Sequence, residues 1–289
     1  MNMTLNELNK SDRNLIIEKL ALCCGCSKWQ EMLAESFPFT SVNDLVKASE
    51  KIWYNDCHEQ EWIEAFSHHP MIGDISSLKE KFASTQHLAS DEQASVSKAD
   101  DKNIEELAAA NEEYHKKFGF IFIVCATGKS AEEMLRLLTD RIQNTYFEEL
   151  NIAMGEQHKI TIIRLQKLLN GEIWQLKPGH ITTHVLDTSI GKPGQNITIK
   201  LKRPYENGWQ IIAQGVTNSD GRIPDLLPPA RTISPGIYKM VFGTADYFSS
   251  QSIKGFYPEV EIQFSVSDSS HYHVPLLVNP FGFSTYRGS

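Results

Sequence analysis

No stretch of this 289-residue chain approaches the ~18 consecutive apolar residues that a membrane helix requires. Residues 1–19 alternate polar and apolar side chains, without the apolar h-region of a secretory signal. The closing Arg287-Gly288-Ser289 is not a peroxisomal Ser-Lys-Leu signal. The expectation is a cytoplasmic protein with no membrane partner. Basic residues are not in excess: 28 Lys and Arg face 36 Asp and Glu, a net charge of −8, which argues against nucleic acid as the main partner. There is no glycine-rich phosphate loop; Ala-Thr-Gly-Lys at 126–129 lacks the earlier glycine. Spaced Cys or His pairs that would complete a zinc site are also missing. Cys23, Cys24 and Cys26 cluster, but adjacent cysteines chelate one tetrahedral ion poorly and no second pair joins them. Without a secretion signal, five thiols point to a reducing compartment and to small buried hydrophobes; no metal is expected.

Proline and glycine are scarce in one part only. Residues 1–170 contain 2 Pro and 5 Gly, and residues 171–289 contain 10 Pro and 12 Gly. Charge divides likewise, with a net of −9 in the first part and +1 in the second, and all five cysteines lie in the first. Proline and glycine are kept out of helix interiors and are needed where strands reverse. Two domains of different class follow: a helical bundle over 1–170, a linker over 171–179, and an all-β sandwich over 180–289.

In the first part, Leu5, Leu8, Leu15, Ile16, Leu20 and Leu22 recur at helical spacing and predict a helix over 4–22. Ser41 is placed to cap a helix through Leu45, Ala48 and Trp53, with Asp44 at the capping-box position. The polar stretch 91–115 reads as one surface helix or two. The apolar run 118–126 reads as one short strand or as a buried extended segment. Ser130, with Glu133, opens a long amphipathic pattern to Leu169, with a break expected near Gly155. In the second part, strands are expected over 181–186, 197–201, 210–216, 236–242, 259–266 and 273–278, with a short helix within 244–253.

Three polar residues of the strand-rich part stand out: His184, Arg222 and His273. Taken singly, each reads as a surface or satisfied core group. Their contexts change this. His-Ile-Thr-Thr-His-Val-Leu-Asp-Thr-Ser-Ile-Gly-Lys-Pro-Gly (180–194) and His-Tyr-His-Val-Pro-Leu-Leu-Val-Asn-Pro-Phe-Gly-Phe-Ser-Thr-Tyr-Arg-Gly-Ser (271–289) resemble the opening and closing signatures of the transthyretin-like 5-hydroxyisourate hydrolases. The Tyr-Arg-Gly-Ser tail is the feature that the hormone-carrying transthyretins lack. The resemblance implies a catalytic trio of His184, Arg222 and His273, a pocket completed by Tyr286, Arg287, Gly288 and Ser289, and a tetramer. Residue chemistry is compatible. A neutral imidazole can take a proton from water, and a guanidinium can stabilise charge on the attacked carbonyl. His180 and His271 are read as structural or supporting groups.

The helical part contains His68-His69-Pro70-Met71-Ile72-Gly73-Asp74, in which proline biases the preceding residue to extended or turn geometry. That is a mount for an exposed imidazole or simply a helix end. Together with Ser90-Asp91-Glu92-Gln93, Lys-Phe-Gly-Phe-Ile-Phe (117–122), Lys-Ile-Thr-Ile-Ile-Arg-Leu (159–165), Cys23-Cys24-Gly25, Trp29, Pro38-Phe39 and Trp62, it resembles the 2-oxo-4-hydroxy-4-carboxy-5-ureidoimidazoline (OHCU) decarboxylases over about 5–169. The resemblance implies catalysis by His69 and Glu92. It implies substrate binding by Pro70, Ser90, Gln93, Arg164 and the backbone at Gly119, Phe120 and Ile121. No cofactor is implied. Two departures stand out: Gln86-His87-Leu88 where the family often has Trp, and Cys26 where it has Ser after Cys-Cys-Gly.

The two families catalyse consecutive steps of urate breakdown. The expectation is a bifunctional enzyme that turns 5-hydroxyisourate into OHCU and OHCU into (S)-allantoin. Its partners would be these small molecules and further copies of itself, through the β domain and possibly also between helical domains. The alternative is a transthyretin-like ligand-binding module carried by a non-catalytic helical partner.

Overall fold

The computed structural model describes residues 3–69, 96–127, 129–169, 179–229 and 231–288, without the side chains of 96–105 and 131. It divides into two compact units, Met1–Glu172 and Ile173–Ser289. Of the sequence-derived site residues, Pro70, Ser90, Glu92, Gln93 and Ser289 lie outside the described residues, as does the expected linker apart from Gly179.

The first unit is helical among its described residues: α1 (Leu5–Asn9), α2 (Arg13–Ala21), α3 (Ser27–Glu35), α4 (Val42–Lys51), α5 (Glu59–Ser67), α6 (Val96–Phe118), α7 (Ala131–Arg141) and α8 (Tyr146–Leu168). A π-helical turn, Ile52–Asp56, continues α4 and closes with Cys57 N–H donating to the Ile52 carbonyl. Local cap chemistry sets most helix starts. Ser41 and Ser130 accept from the amides of Asp44 and Glu133, as their spacing predicts. Two expectations need correction. The helix expected over 4–22 is two helices, because the Asp12 carboxylate accepts from Leu15 N at 3.0 Å and starts a new one. The expected break at Gly155 does not occur; α8 runs through it, and the break lies before Thr145, whose side chain and Glu148 form a capping box. A mid-helix glycine costs only about 1 kcal/mol, and Gly155 is buried within a helix whose neighbours Ala153 and Met154 are core residues.

The apolar run after α6 is a buried extended segment and has no strand partner among the described residues. Side chains satisfy its backbone instead. Arg141 Nη1 donates to the Ile123 carbonyl at 2.9 Å, and Cys125 N–H donates to Glu156 Oε2 at 2.7 Å. Arg141 and Glu149 form a wholly buried ion pair, to which Tyr114 Oη and Asn144 Nδ2 add hydrogen bonds at 2.5 and 2.9 Å. The Arg141 guanidinium also lies 4.6 Å from the centre of the Phe122 ring. This polar knot ties α6, α7, α8 and the extended segment together. Two tryptophans do the same elsewhere: Trp29 Nε1 donates to the Ser49 carbonyl and Trp53 Nε1 to that of Met154.

The second unit is a two-sheet sandwich of β1 (Ile181–Asp187), β2 (Lys192–Pro193), β3 (Thr198–Tyr205), β4 (Gly208–Val216), β5 (Gly236–Gly243), β6 (Glu259–Val266), β7 (Tyr272–Asn279) and β8 (Gly282–Thr285), with a short α9 (Thr244–Ser250). One sheet has the order β2-β1-β7-β8 and the other β4-β3-β5-β6. All neighbours run antiparallel except β1 and β7, which are parallel. Six strands and the helix fall where expected; β2 and β8 are additional and short. In β1 the alternation is strict. Ile181, Thr183, Val185 and Asp187 are buried, while Thr182, His184 and Leu186 face outward and are half-buried. Ile199, Leu201, Met240, Phe242 and Leu276 are fully buried in the shared core.

Replacing Arg141 by Leu leaves the Glu149 carboxylate buried without its ion-pair partner, which is expected to cost about 3–5 kcal/mol. The measurement is the urea midpoint for loss of helical circular dichroism. The double variant Arg141→Leu/Glu149→Leu is expected to recover part of that loss.

Candidate active sites

The parallel pairing of β1 with β7 sets Thr182 opposite His273. Period-2 alternation then puts His184 on the same outward face. Thr182 Oγ1 lies 2.9 Å from His273 Nδ1 and 2.9 Å from His271 Nε2, so one hydroxyl orients two imidazoles. Arg222 reaches this face from the turn after β4. Asn218 accepts from the Arg222 amide at 3.0 Å, and the Gly221 carbonyl accepts from Val185 N at 2.8 Å, which holds the turn against β1. Arg222 and His184 thereby form an antiparallel bridge pair. Only glycine permits this approach: Gly221 has φ +69°, and a Cβ there would stand 2.3 Å from the Val185 carbonyl oxygen.

The C-terminal tail closes the same edge. Gly288 N donates to the His273 carbonyl at 2.9 Å, and a Cβ at Gly288 would meet His273 Cδ2 at 2.5 Å, so bare backbone lies against the imidazole. The Arg287 guanidinium sits 4.8 Å from the centre of the Tyr272 ring, and Tyr286 is exposed. The structure therefore gathers His184, Arg222, His273 and the Gly288 backbone. His180 is placed differently. It is buried, accepts from Ile233 N through Nδ1, and donates through Nε2 to the Asp268 carbonyl, which is a structural role.

Both candidate imidazoles are biased toward the neutral form. Burial is the first cause of the lowered His184 pKa, the Arg222 charge is the second, and a hydrogen bond to the Asp220 carbonyl opposes them. His273 is lowered by burial, then by Arg222, His184 and His271. Sequence reasoning missed Thr182 and Asp220. The alternation of β1 carried a signal for Thr182, two residues from His184; nothing local marked the Asp220 carbonyl.

In the first unit, His69 follows the end of α5, its amide donating to the Phe66 carbonyl. Its Nε2 lies 2.6 Å from Oε1 of Gln157, a fully buried residue of α8. Gln157, Thr161 and Arg164 stand at i, i+4 and i+7, on one face of that helix. Arg164 Nη1 donates to the Cys23 carbonyl at 3.4 Å. The Cys23–Cys26 loop packs under the same corner, and a Cβ at Gly25 would lie 2.5 Å from His68 Cγ. Phe120 stacks on Phe66 with ring centres 5.4 Å apart, which brings the Gly119–Ile121 backbone beside the end of α5. The Cys26 sulfur caps α3, accepting from Trp29 N at 3.3 Å, and lies 3.9 Å from Cys57 Sγ. All five cysteines are buried and none is in a disulfide. Gln157 was not foreseen, because a glutamine in an amphipathic helix carries no motif.

Replacing Arg222 by Met removes one of the two main causes of the lowered imidazole pKa values. Both His184 and His273 are expected to titrate closer to the ordinary value of ~6.5. An NMR pH titration of the imidazoles checks this; unmoved midpoints would remove Arg222 from the causes.

Comparison with known proteins gives the same division. Residues 9–166 match the OHCU decarboxylase family, and residues 181–288 match the HIUase/Transthyretin family. The chain is 34% identical to the Arabidopsis thaliana "Uric acid degradation bifunctional protein TTL", with 93% of this chain and 97% of the relative aligned. Its second part is 41% identical to the 5-hydroxyisourate hydrolase of Salmonella dublin, over 38% of this chain and 80% of the relative. It is 42% identical to that of Mus musculus, over 38% of this chain and 94% of the relative. With a local site built in each unit and a relative aligned across both, the chain belongs to the OHCU decarboxylase family through its first unit and to the HIUase/transthyretin family through its second.

Proposed function

We propose that the second unit hydrolyses 5-hydroxyisourate to OHCU and that the first decarboxylates OHCU to (S)-allantoin. The observation that carries this reading is the gathering of His184, Arg222, His273 and Gly288 on one sheet face, in a chain whose other unit belongs to the decarboxylase family.

For hydrolysis, a neutral imidazole takes a proton as water adds to the ring carbonyl. Arg222 stabilises the oxyanion, the second imidazole orients the attacking water, and the imidazolium formed in the first step returns its proton to the departing ring nitrogen as the C–N bond breaks. Thr182 holds His273 in place for this. We assign substrate binding to Tyr286, Arg287, Gly288 and Ser289, of which Gly288 lies against His273. Since the working base is neutral and both pKa values are lowered, the loss of activity on acidification is expected at a lower pH than an ordinary histidine would give.

For decarboxylation, the carbon–carbon bond to the carboxylate breaks, carbon dioxide leaves, and the electron pair delocalises into the imidazolone ring. His69, which we pair with Glu92 in catalysis, then gives a proton to one face of that carbon. Ser90, Gln93, Arg164 and the Gly119–Ile121 backbone hold the ring and its carboxylate. The substrate's own ring is the electron sink, so the reaction as written uses no cofactor.

We read the protein as a cytoplasmic homo-oligomer, a tetramer through the second unit, with contacts between helical units as a further possibility. A run of exposed aromatic side chains supports this: Phe256 and Phe281 are 70% and 75% exposed, and Tyr257 bridges the rings of Phe256 and Phe283.

The test generates 5-hydroxyisourate with urate oxidase, adds the full chain, and follows ultraviolet absorbance and circular dichroism together. Rapid loss of the 5-hydroxyisourate band with growth of a one-handed allantoin signal is expected. His69→Asn is expected to keep the first step and lose the handedness. Arg222→Met is expected to slow the first step by about 10²–10³-fold. A racemic end product from the unaltered protein would limit activity to the second unit. No acceleration of either step would favour a binding module.

A further inference from the structure

The hydrogen bond between His69 and Gln157 has a direction, and Thr161 reveals it. The Thr161 hydroxyl lies 3.0 Å from the Gln157 main-chain carbonyl. A carbonyl can only accept, so the hydroxyl's one proton is committed there. Toward the Gln157 side-chain amide, 3.3 Å away, Thr161 Oγ1 therefore offers lone pairs alone, and the amide must turn its NH2 to it. The amide oxygen is left facing His69 Nε2 at 2.6 Å. Two acceptors do not face each other at that distance, so Nε2 carries the proton. Cys24, beside Thr161, competes only weakly for the hydroxyl proton. Burial pushes its thiol up to about 12, so it remains S–H, and a thiol sulfur is a far poorer acceptor than the Gln157 carbonyl.

We infer that Gln157 is a positioning residue that holds His69 as the Nε2–H tautomer and so makes Nδ1 the atom that exchanges a proton with the substrate. The inference rests on the reading of the first unit as an OHCU decarboxylase with His69 as its acid. In the reacting form both ring nitrogens carry hydrogen. As carbon dioxide leaves, the Nδ1–H bond breaks, a C–H bond forms on the carbanionic carbon, and Nδ1 keeps the electron pair. The imidazole that remains is neutral and still bonded through Nε2–H to Gln157; solvent restores the proton on Nδ1. A neutral amide suits this cycle because it accepts from Nε2–H in both charge states without fixing either. Gln157 is fully buried and Thr161 holds its far end, so the amide is not free to turn over. The imidazole is thereby kept aimed through the reaction.

The test begins with the unaltered full chain, 15N-labelled at histidine. Long-range 1H–15N correlation spectra above the His69 titration are expected to show a protonated Nε2 and a pyridine-like Nδ1, with the signals assigned by their loss in His69→Asn. A protonated Nδ1, or an even mixture of tautomers, would overturn the inference. Gln157→Leu is expected to mix the tautomers and lower kcat for OHCU decarboxylation about 10–100-fold with little change in KM, part of the ~10²–10⁴-fold that a positioned proton donor supplies. Helical circular dichroism and its urea midpoint, which report on the first unit, serve as the control for folding. Gln157→Glu, which keeps an acceptor for Nε2–H, is expected to restore the tautomer and most of kcat. A Gln157→Leu protein with unchanged tautomer and rate would also overturn it. Decarboxylation that survives His69→Asn would remove the reading underneath and the inference with it, a failure that the tautomer spectrum distinguishes from the first.

Discussion

The parallel pairing of β1 with β7 is the constraint on which the second unit's site depends. Every other strand contact in the sandwich is antiparallel. This one ladder sets Thr182 level with His273 and, two residues on, His184 level with Pro275. A slip of β1 by one residue would send Thr182 and His184 to the core face and Ile181 and Val185 to solvent. The register is secured from both sides. The buried Thr183 hydroxyl donates to the Val274 carbonyl at 2.7 Å, and the Asp187 carboxylate, buried at the end of β1, accepts from Tyr247 and Ser189. Arg222 and the tail are then brought up against a face that is already set, through glycines that leave no room for a methyl group.

The first unit solves the same problem with a helix. α8 is buried nearly all round, and its polar residues are as deeply placed as its apolar ones. Such a helix is stable only if each buried polar group is paired. Glu149 pairs with Arg141, Glu156 with Lys159 and the Cys125 amide, and Gln157 with His69 and Thr161. The groups that hold the extended segment and those that hold the candidate imidazole thus stand on consecutive turns of one rigid element.

What the amino-acid order made legible was local. Caps at Ser41 and Ser130 could be read because donor and acceptor lie three residues apart. Six strands could be read from β-rich runs between turn signals. The long terminal motifs marked His184, His273 and the tail. The misreadings have local causes as well. Apolar spacing over 4–22 outweighed the cap at Asp12, and glycine propensity at Gly155 outweighed the Thr145–Glu148 box. β2 and β8 are too short to display alternation. Gln157 lies 88 residues from His69, and only the fold brings the two into contact.

Strict alternation along β1 separates two kinds of selection on one strand. Positions 181, 183, 185 and 187 answer to the interior, and positions 182, 184 and 186 answer to the outward face. A change at 182 or 184 alters chemistry without opening a cavity, and a change at 181 or 185 does the reverse. The sandwich can therefore keep its packing while its outer face is rewritten residue by residue. Neighbouring letters of one short strand are free to follow different histories.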